Sequence, residues 1–260
     1  MSTQRLSLTF LGTGTSQGVP VIACDCMVCT SQDPKDDRTR SSVLMEVDGK
    51  TIVIDTGPDF RRQMLREKVQ QLNAVIYTHD HKDHLAGMDD VRAFCFKQKR
   101  AMPLYASQNV QDSLKREFPY AFVAKENRYP GAPIIDLELI DYAPFSVDGI
   151  EVIPIKVRHG KQNIHAFRIE DITYITDANN IAPEEMDKIR GSKVLVINAL
   201  RQQTHHSHFN LEQALAVVEE VKPEMAYLTH ISHLLGKHED VQTTLPENVF
   251  LAYDGLKVSS

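Results

Sequence analysis

Short runs of β-forming residues recur along this chain, and each stops at a turn-rich loop or at a side chain able to ligate. Leu6 to Leu11 opens into Gly12-Thr-Gly-Thr-Ser-Gln-Gly18. Thr51 to Ile54 stops at Asp55, Leu72 to Tyr77 at Thr78-His79, and Ile150 to Val157 at Arg158-His159. Ile172 to Thr176 stops at Asp177, Val194 to Ile197 at Asn198, and Met225 to Thr229 at His230. β-Branching, alternation and flanking glycines read as strands. Helical spacing is rarer. It predicts helices over Asp59 to Lys68, Met88 to Lys99 and Leu211 to Val221. The last has Asn210 as N-cap, Gln213 completing a capping box, and Pro223 beyond its end. The alternation predicts an α/β sandwich in one domain over residues 1–260. Residues 114–133 carry Phe118-Pro-Tyr-Ala-Phe122 and Tyr129-Pro-Gly131 with no clean period, and read as an inserted loop or lid.

Composition narrows the function classes. Charged residues are 25% and hydrophobic residues 42% of 260, which excludes a disordered or fibrous chain. No apolar run approaches the roughly 18 residues of a membrane helix. Met1 to Arg5 shows no apolar targeting segment, so the expected location is cytoplasmic. A formal net charge of −6 argues against a broad basic surface for nucleic acid.

Eleven histidines and four cysteines are unevenly distributed. Residues 78–84 read Thr-His-Asp-His-Lys-Asp-His directly after an apolar strand. In extended backbone, His79 and His81 point to one face and can share a metal. Asp83 and His84, past the turn, are free to address a second ion. Cys24-Asp-Cys26-Met-Val-Cys29 is too tightly spaced for an unstrained bridge between its first two cysteines, and reads as a metal cluster. Cys95 falls in a helix-patterned stretch and reads as a buried thiol.

The run His79-x-His81-x-Asp83-His84, preceded by Asp55 at a strand end, resembles the metallo-β-lactamase fold signature over nearly the whole chain. The resemblance implies an αββα sandwich of two mixed sheets with helices outside. It implies that His79, His81 and His159 hold one ion, that Asp83, His84 and His230 hold the other, and that Asp177 bridges them. Asp55 is then expected to orient the loop by hydrogen bonds. The cysteine run resembles that of the phosphonate-pathway cyclic phosphodiesterases (PhnP-like proteins). There three cysteines and one histidine form a structural zinc site, which here implies Cys24, Cys26, Cys29 and His233, a zinc knuckle at residues 24–29. His230 and His233 would then tie that zinc to the active site.

The same resemblance implies two divalent ions, zinc or manganese, holding a hydroxide that attacks a phosphodiester. Within His206-x-x-x-Asn-Leu-x-x-Ala214, His208 matches the family's general acid. With Asp83, which completes the second ion's ligands, it is named as catalytic. His205 and His206 read as a solvated loop, and His165 and His238 as ordinary core or surface histidines. Arg38, Arg40, Arg158 and Lys161 are candidates for phosphate contacts, although surface charge is the plainer reading of each. The expectation is a phosphodiesterase acting on cyclic or small phosphodiesters, a homodimer by resemblance, with neither membrane nor nucleic acid as partner. The rival readings are a tRNA 3′-end endonuclease, and a non-hydrolytic protein resembling the pyrroloquinoline quinone pathway branch.

Overall fold

The computed structural model describes residues 6–260; Met1 to Arg5, on which the targeting-segment reading fell, lie outside the described residues. The first half runs β1 (Ser7–Gly12), β2 (Ser42–Val47), β3 (Lys50–Ile54), α1 (Phe60–Arg66), β4 (Ala74–Ile76), α2 (Lys82–Leu85), α3 (Arg92–Gln98), β5 (Met102–Ala106), α4 (Gln108–Glu117) and β6 (Ile135–Leu139). The second half runs β7 (Phe145–Val147), β8 (Ile150–His159), β9 (Gln162–Ile169), β10 (Ile172–Ile175), β11 (Asn180–Ile181), α5 (Pro183–Ile189), β12 (Val194–Asn198), α6 (Leu211–Val221), β13 (Met225–Thr229), α7 (His238–Gln242), β14 (Val249–Leu251) and β15 (Lys257–Ser259).

Two mixed sheets result. One is ordered β15-β1-β2-β3-β4-β5-β6; the other is β11-β8-β9-β10-β12-β13-β14, with β7 paired to β8. Pairing is antiparallel from β15 to β3 and parallel from β3 to β6. In the second sheet β8, β9 and β10 are antiparallel, whereas β10, β12, β13 and β14 are parallel.

Alternation along the strands sorts the side chains into layers. Ile52 and Ile54 of β3, with Val194 and Val196 of β12, pack between the sheets against Phe10, Met45, Phe167 and Tyr174. Val53 faces the other way, onto Phe60, Phe94 and Leu114 of the outer helices. Leu195 and Ile197 face Met186, Ala214 and Val241 on the opposite outer layer. Strands buried on both faces, with helices covering each sheet, give the expected αββα sandwich. No helix among the described residues is long and apolar enough to cross a membrane.

Two boundaries differ from the sequence reading. Residues 114–117 finish α4, whose Val110, Gln111 and Leu114 are buried on one face, so the irregular stretch starts only at Phe118. The helix expected from Met88 begins as a 3-10 turn over Met88–Val91 before α3. The capping box of α6 forms as predicted: Gln213 N–H donates to the Asn210 side chain at 3.0 Å, and Asn210 N–H donates back to Gln213 at 3.1 Å.

Candidate metal centre

Three strand ends deliver acidic or imidazole side chains in left-handed backbone. Asp55 after β3 has φ 67°, Asp177 after β10 has φ 60°, and His230 after β13 has φ 54°. This conformation costs a non-glycine residue on the order of 1 kcal/mol. Here it turns the strand ends so that Asp177 and His230 meet between the sheets, while Asp55 reaches the outer nitrogen of His84. Gly57 permits a close crossing in the same region: a Cβ there would strike the Asp83 carbonyl oxygen.

The histidine tract lies past the end of β4 rather than on it. His81 is the N-cap of α2, and Asp83 and His84 occupy its first turn. The His79 and His81 rings are still side by side, with centroids 4.6 Å apart. His159, at the end of β8, approaches them at 5.4 and 5.0 Å. One potential donor atom from each of His79, His81 and His159 fits within a 4.8 Å span, and the same holds for Asp83, His84, Asp177 and His230. Asp177 lies between the groups. One oxygen is 3.0 Å from His230 Nδ1 and 3.4 Å from His84 Nε2; the other is 3.9 Å from His79 Nε2.

Hydrogen bonds from outside fix which imidazole nitrogen faces inward. His84 Nδ1 lies 2.8 Å from Asp55 Oδ2, and His159 Nδ1 lies 2.8 Å from the Ser207 carbonyl. His79 Nδ1 lies 3.0 Å from Thr78 Oγ1. With Nδ1 engaged, Nε2 is left as the donor. The inward Nε2 atoms of His79 and His84 are buried without a hydrogen-bond partner, an arrangement that costs free energy unless something electrophilic meets them. Asp55 accepts from the Thr78 backbone N–H at 2.8 Å and from its hydroxyl at 2.7 Å, so it anchors the tract from outside.

Charge points the same way. Burial works against a protonated His84, yet Asp177, Asp83 and Asp55 together hold its pKa well above the ordinary value. Burial, reinforced by the His84 ring, pushes His79 well below it. Burial would raise Asp177, but His230 and His84 hold it well below the usual carboxylate range. A crowded carboxylate and imidazole set with orphaned ring nitrogens fits two divalent cations.

The cysteines gather around His233. Its Nδ1 lies 3.3, 3.4 and 3.5 Å from the sulfurs of Cys24, Cys26 and Cys29. A tetrahedral zinc with ordinary Zn–S and Zn–N bonds separates sulfur from nitrogen by about 3.5 Å. The donor set fits that ion. Backbone N–H groups of Val21 and Cys29 point at the Cys29 and Cys26 sulfurs at 3.3 and 3.5 Å. The Cys29 N–H, with the His233 ring, draws the Cys26 thiol down to about 6, while burial pushes Cys29 up to about 11. Cys95 is buried in α3, with Sγ 3.3 Å from the Ile134 carbonyl, and takes no part.

His208 stands over the cleft. Its ring stacks on His230 at 4.9 Å and tilts against His159 at 4.7 Å, and its buried Nδ1 has no partner. Burial, more than any neighbour, pushes its pKa down to about 3. His205, expected in a solvated loop, is half-buried instead, 5.1 Å from His208 and with Nδ1 3.3 Å from Ser207 Oγ. His206 is exposed. His165 and His238 are buried outside this cluster.

The basic candidates fare differently. Arg38 is 3% exposed, donates to Thr13 Oγ1 at 3.0 Å and to the Ala252 carbonyl, and lies 3.1 Å from His238 Nδ1, so it is neither surface charge nor a phosphate contact. Arg158 alternates with the inward His159 on β8 and faces outward, bonded to Asn163 at 3.2 Å. Arg40 is paired with Asp59 at 3.1 Å. Lys161 is exposed in the β8–β9 turn. The sequence reading passed over Thr15 and Ser41, whose hydroxyls lie 3.3 and 3.2 Å from the His230 ring. The glycine-rich setting of Thr15 was the available signal.

The fold and the two donor groups define a metallo-β-lactamase-like architecture. Residues 50–231 match the model of the beta-lactamase superfamily domain. A solved diphosphatase from the PhnP family superposes with TM-score 0.92 and 39% identity, covering 98% of this chain and 97% of that one. An octanoyltransferase of Porphyromonas gingivalis is 40% identical over 250 residues, or 95% of this chain; the chain spans 50% of that relative's length. A ribonuclease Z of Methanopyrus kandleri is 24% identical over 86% of this chain and 93% of its own. The chain belongs to the metallo-β-lactamase superfamily and, within it, to the PhnP family.

Proposed function

We propose that this protein is a metal-dependent phosphodiesterase acting on small phosphodiesters, cyclic ones included. The observation that carries the reading is the convergence of seven donors, His79, His81, His159, Asp83, His84, His230 and Asp177, into two adjoining groups. Two divalent ions, zinc or manganese, held there would supply Lewis acidity toward phosphoryl oxygens and lower the pKa of a water to near neutrality. The likeness to a PhnP-family diphosphatase supports this chemistry. A diphosphate substituted on both phosphates presents the same monoanionic phosphoryl centre as a phosphodiester, so one site can serve either bond.

The chain's own residues do the rest. Asp55, Ser207 and Thr78 hold the ring orientations that keep Nε2 of His84, His159 and His79 pointing inward. Asp83 and Asp177 place negative charge beside His84 and His230. His208 holds a proton on an imidazole nitrogen for the departing alkoxide. Burial holds its basicity low, and an anionic phosphoryl group beside the ring would act against that effect. The cysteine cluster with His233 would hold a structural zinc, closed to substrate because all four positions come from protein.

The chain's net charge of −6 weighs against an endonuclease that tracks an RNA backbone. Convergence of all seven donors weighs against a non-hydrolytic cofactor protein. The octanoyltransferase named among the relatives is a protein of twice this length, and its name describes that whole protein. With added Mn²⁺ or Zn²⁺ the protein is expected to hydrolyse bis(p-nitrophenyl) phosphate and a nucleoside 2′,3′-cyclic phosphate. No turnover of either with any divalent metal overturns the reading, and faster processing of a precursor tRNA replaces it with the endonuclease.

A further inference from the structure

Histidines that share an ion must come from two different sheets here. His79 and His81 follow β4 of the first sheet, whereas His159 ends β8 of the second. Each sheet secures its own contribution. Asp55 binds Thr78, and the Thr56 N–H donates to the His84 carbonyl at 2.8 Å, which ties the tract to β3. These bonds do not set the distance to the opposite sheet. Besides the contacts among the candidate ligands themselves, two hydrogen bonds among the described residues join the tract to that sheet: the His165 N–H donates to the Thr78 carbonyl at 3.1 Å, and Gln162 Nε2 donates to Asp80 Oδ1 at 3.1 Å. Gln162 is the residue paired with His159 across the β8–β9 hairpin. A shift of Gln162 therefore moves His159.

The second oxygen of Asp80 is used as well. Ser113 of α4 donates to Asp80 Oδ2 at 3.1 Å, and Arg116 Nη2 donates to the same Ser113 hydroxyl at 2.9 Å. Lys82 makes a further ion pair from the tract to Glu117 of α4. One half-buried carboxylate, lying in sequence between two imidazoles of the candidate site, thus joins the tract, an outer helix and the hairpin that carries the third imidazole. An aspartate kept only for solubility would need none of these partners.

We infer that Asp80 is a positioning residue: by bridging Gln162 and Ser113 it sets His79 and His81 against His159, so that imidazoles from both sheets meet at one ion. This rests on the reading that those three histidines hold an ion. Ligand sets loosened from outside typically lose ten- to hundredfold in metal affinity.

The test measures binding of Co²⁺ or Zn²⁺ by the full chain, by chelator competition and by the visible spectrum of the cobalt form, beside kcat, KM and melting. Asp80→Ala is expected to weaken one equivalent of metal about tenfold to a hundredfold. The cobalt–thiolate band of the cysteine cluster and the melting temperature should stay near those of the parent, and kcat should fall more than KM rises. Asp80→Asn, which can accept from Gln162 and donate to Ser113, should restore affinity. Gln162→Leu should weaken the same equivalent, and its effect should not add to that of Asp80→Ala. Parent-like affinity in Asp80→Ala overturns the inference. So does loss of every metal together with a collapsed melting transition that Asn does not rescue, because that outcome reports a general structural role. His159→Ala separates the two levels: if it binds metal like the parent, the ligand reading itself fails, whatever Asp80 does.

Discussion

His208 is where single-residue chemistry is most exposed to test. Its ring lies against His159 and His230, both candidate ligands, and its own group shares His159 with one donor cluster and Asp177 with the other, yet its Nδ1 has no partner. A proton donor matters in proportion to the basicity of the leaving group. His208→Ala is therefore expected to slow hydrolysis of an alkyl diester by about a hundredfold or more. Loss on a p-nitrophenyl ester, whose phenolate leaves without help, should be much smaller. Equal losses on both substrates would remove the proton-donor role. Arg38 carries the opposite lesson. Its position in sequence gives no hint that the guanidinium is buried, and the partners that accept its protons, Thr13, Ala252 and His238, come from three distant segments. Long-range partners of this kind leave no local pattern to read.

Among the elements, strand ends and the cysteine loop do most to build the site. β3, β10 and β13 are each followed by a residue in left-handed backbone, Asp55 behind the histidine tract and Asp177 and His230 within the donor group. A strand that stopped a residue earlier would aim its neighbour at the core instead, because side chains alternate by one. The cysteine loop is held by a single segment that also carries a candidate ligand: His233 faces the sulfurs, while His230, three residues before it, faces Asp177. Cys26→Ser is expected to remove one zinc per chain, lower the melting temperature and reduce turnover through His230. Unchanged zinc content and melting would discredit the site. The α6 boundary was legible because its signals are local: Asn210 and Gln213 satisfy each other's backbone. α2 was not, since four residues give no helical period, and Lys82–Leu85 is held by its packing over Gly57 rather than by propensity. β2 and β9 are less legible because Glu46, His165 and Arg168 interrupt their apolar residues, whereas β10 and β12 are unbroken runs of β-formers.

The whole molecule responds to acid through groups that lie far apart in sequence. His238, which opens α7, lies in the reach of Arg38, Lys35, Asp33, Asp36 and the Tyr253 ring. Burial, then Arg38 and Lys35, pushes its pKa down to about 4. The unfolded chain binds a proton there at the ordinary histidine value of about 6.5. Between those values the unfolded state carries more protons, so stability falls as pH drops from about 6.5 toward 4 and this contribution levels off below. Unfolding by urea across that interval checks the sign. His238→Gln, which keeps an acceptor for Arg38 and cannot be protonated, is expected to flatten the dependence. An identical slope in the variant would show that other groups set it.

Sequence alone determined the strand pattern, the α6 helix with its cap, the His79–His84 tract and the cysteine run, since each is written in neighbouring residues and short-range chemistry. The tertiary structure decided which distant residues meet. It set His159 opposite His79, placed Asp177 between the two donor groups, buried Arg38 against His238, and gave Asp80 its partners on α4 and β9. The physical reason is range. Hydrogen bonding within a turn and side-chain alternation act over a few residues, whereas the packing of sheets and outer helices fixes distances between positions that the chain separates by 33 residues (Asp80 and Ser113) to 200 (Arg38 and His238).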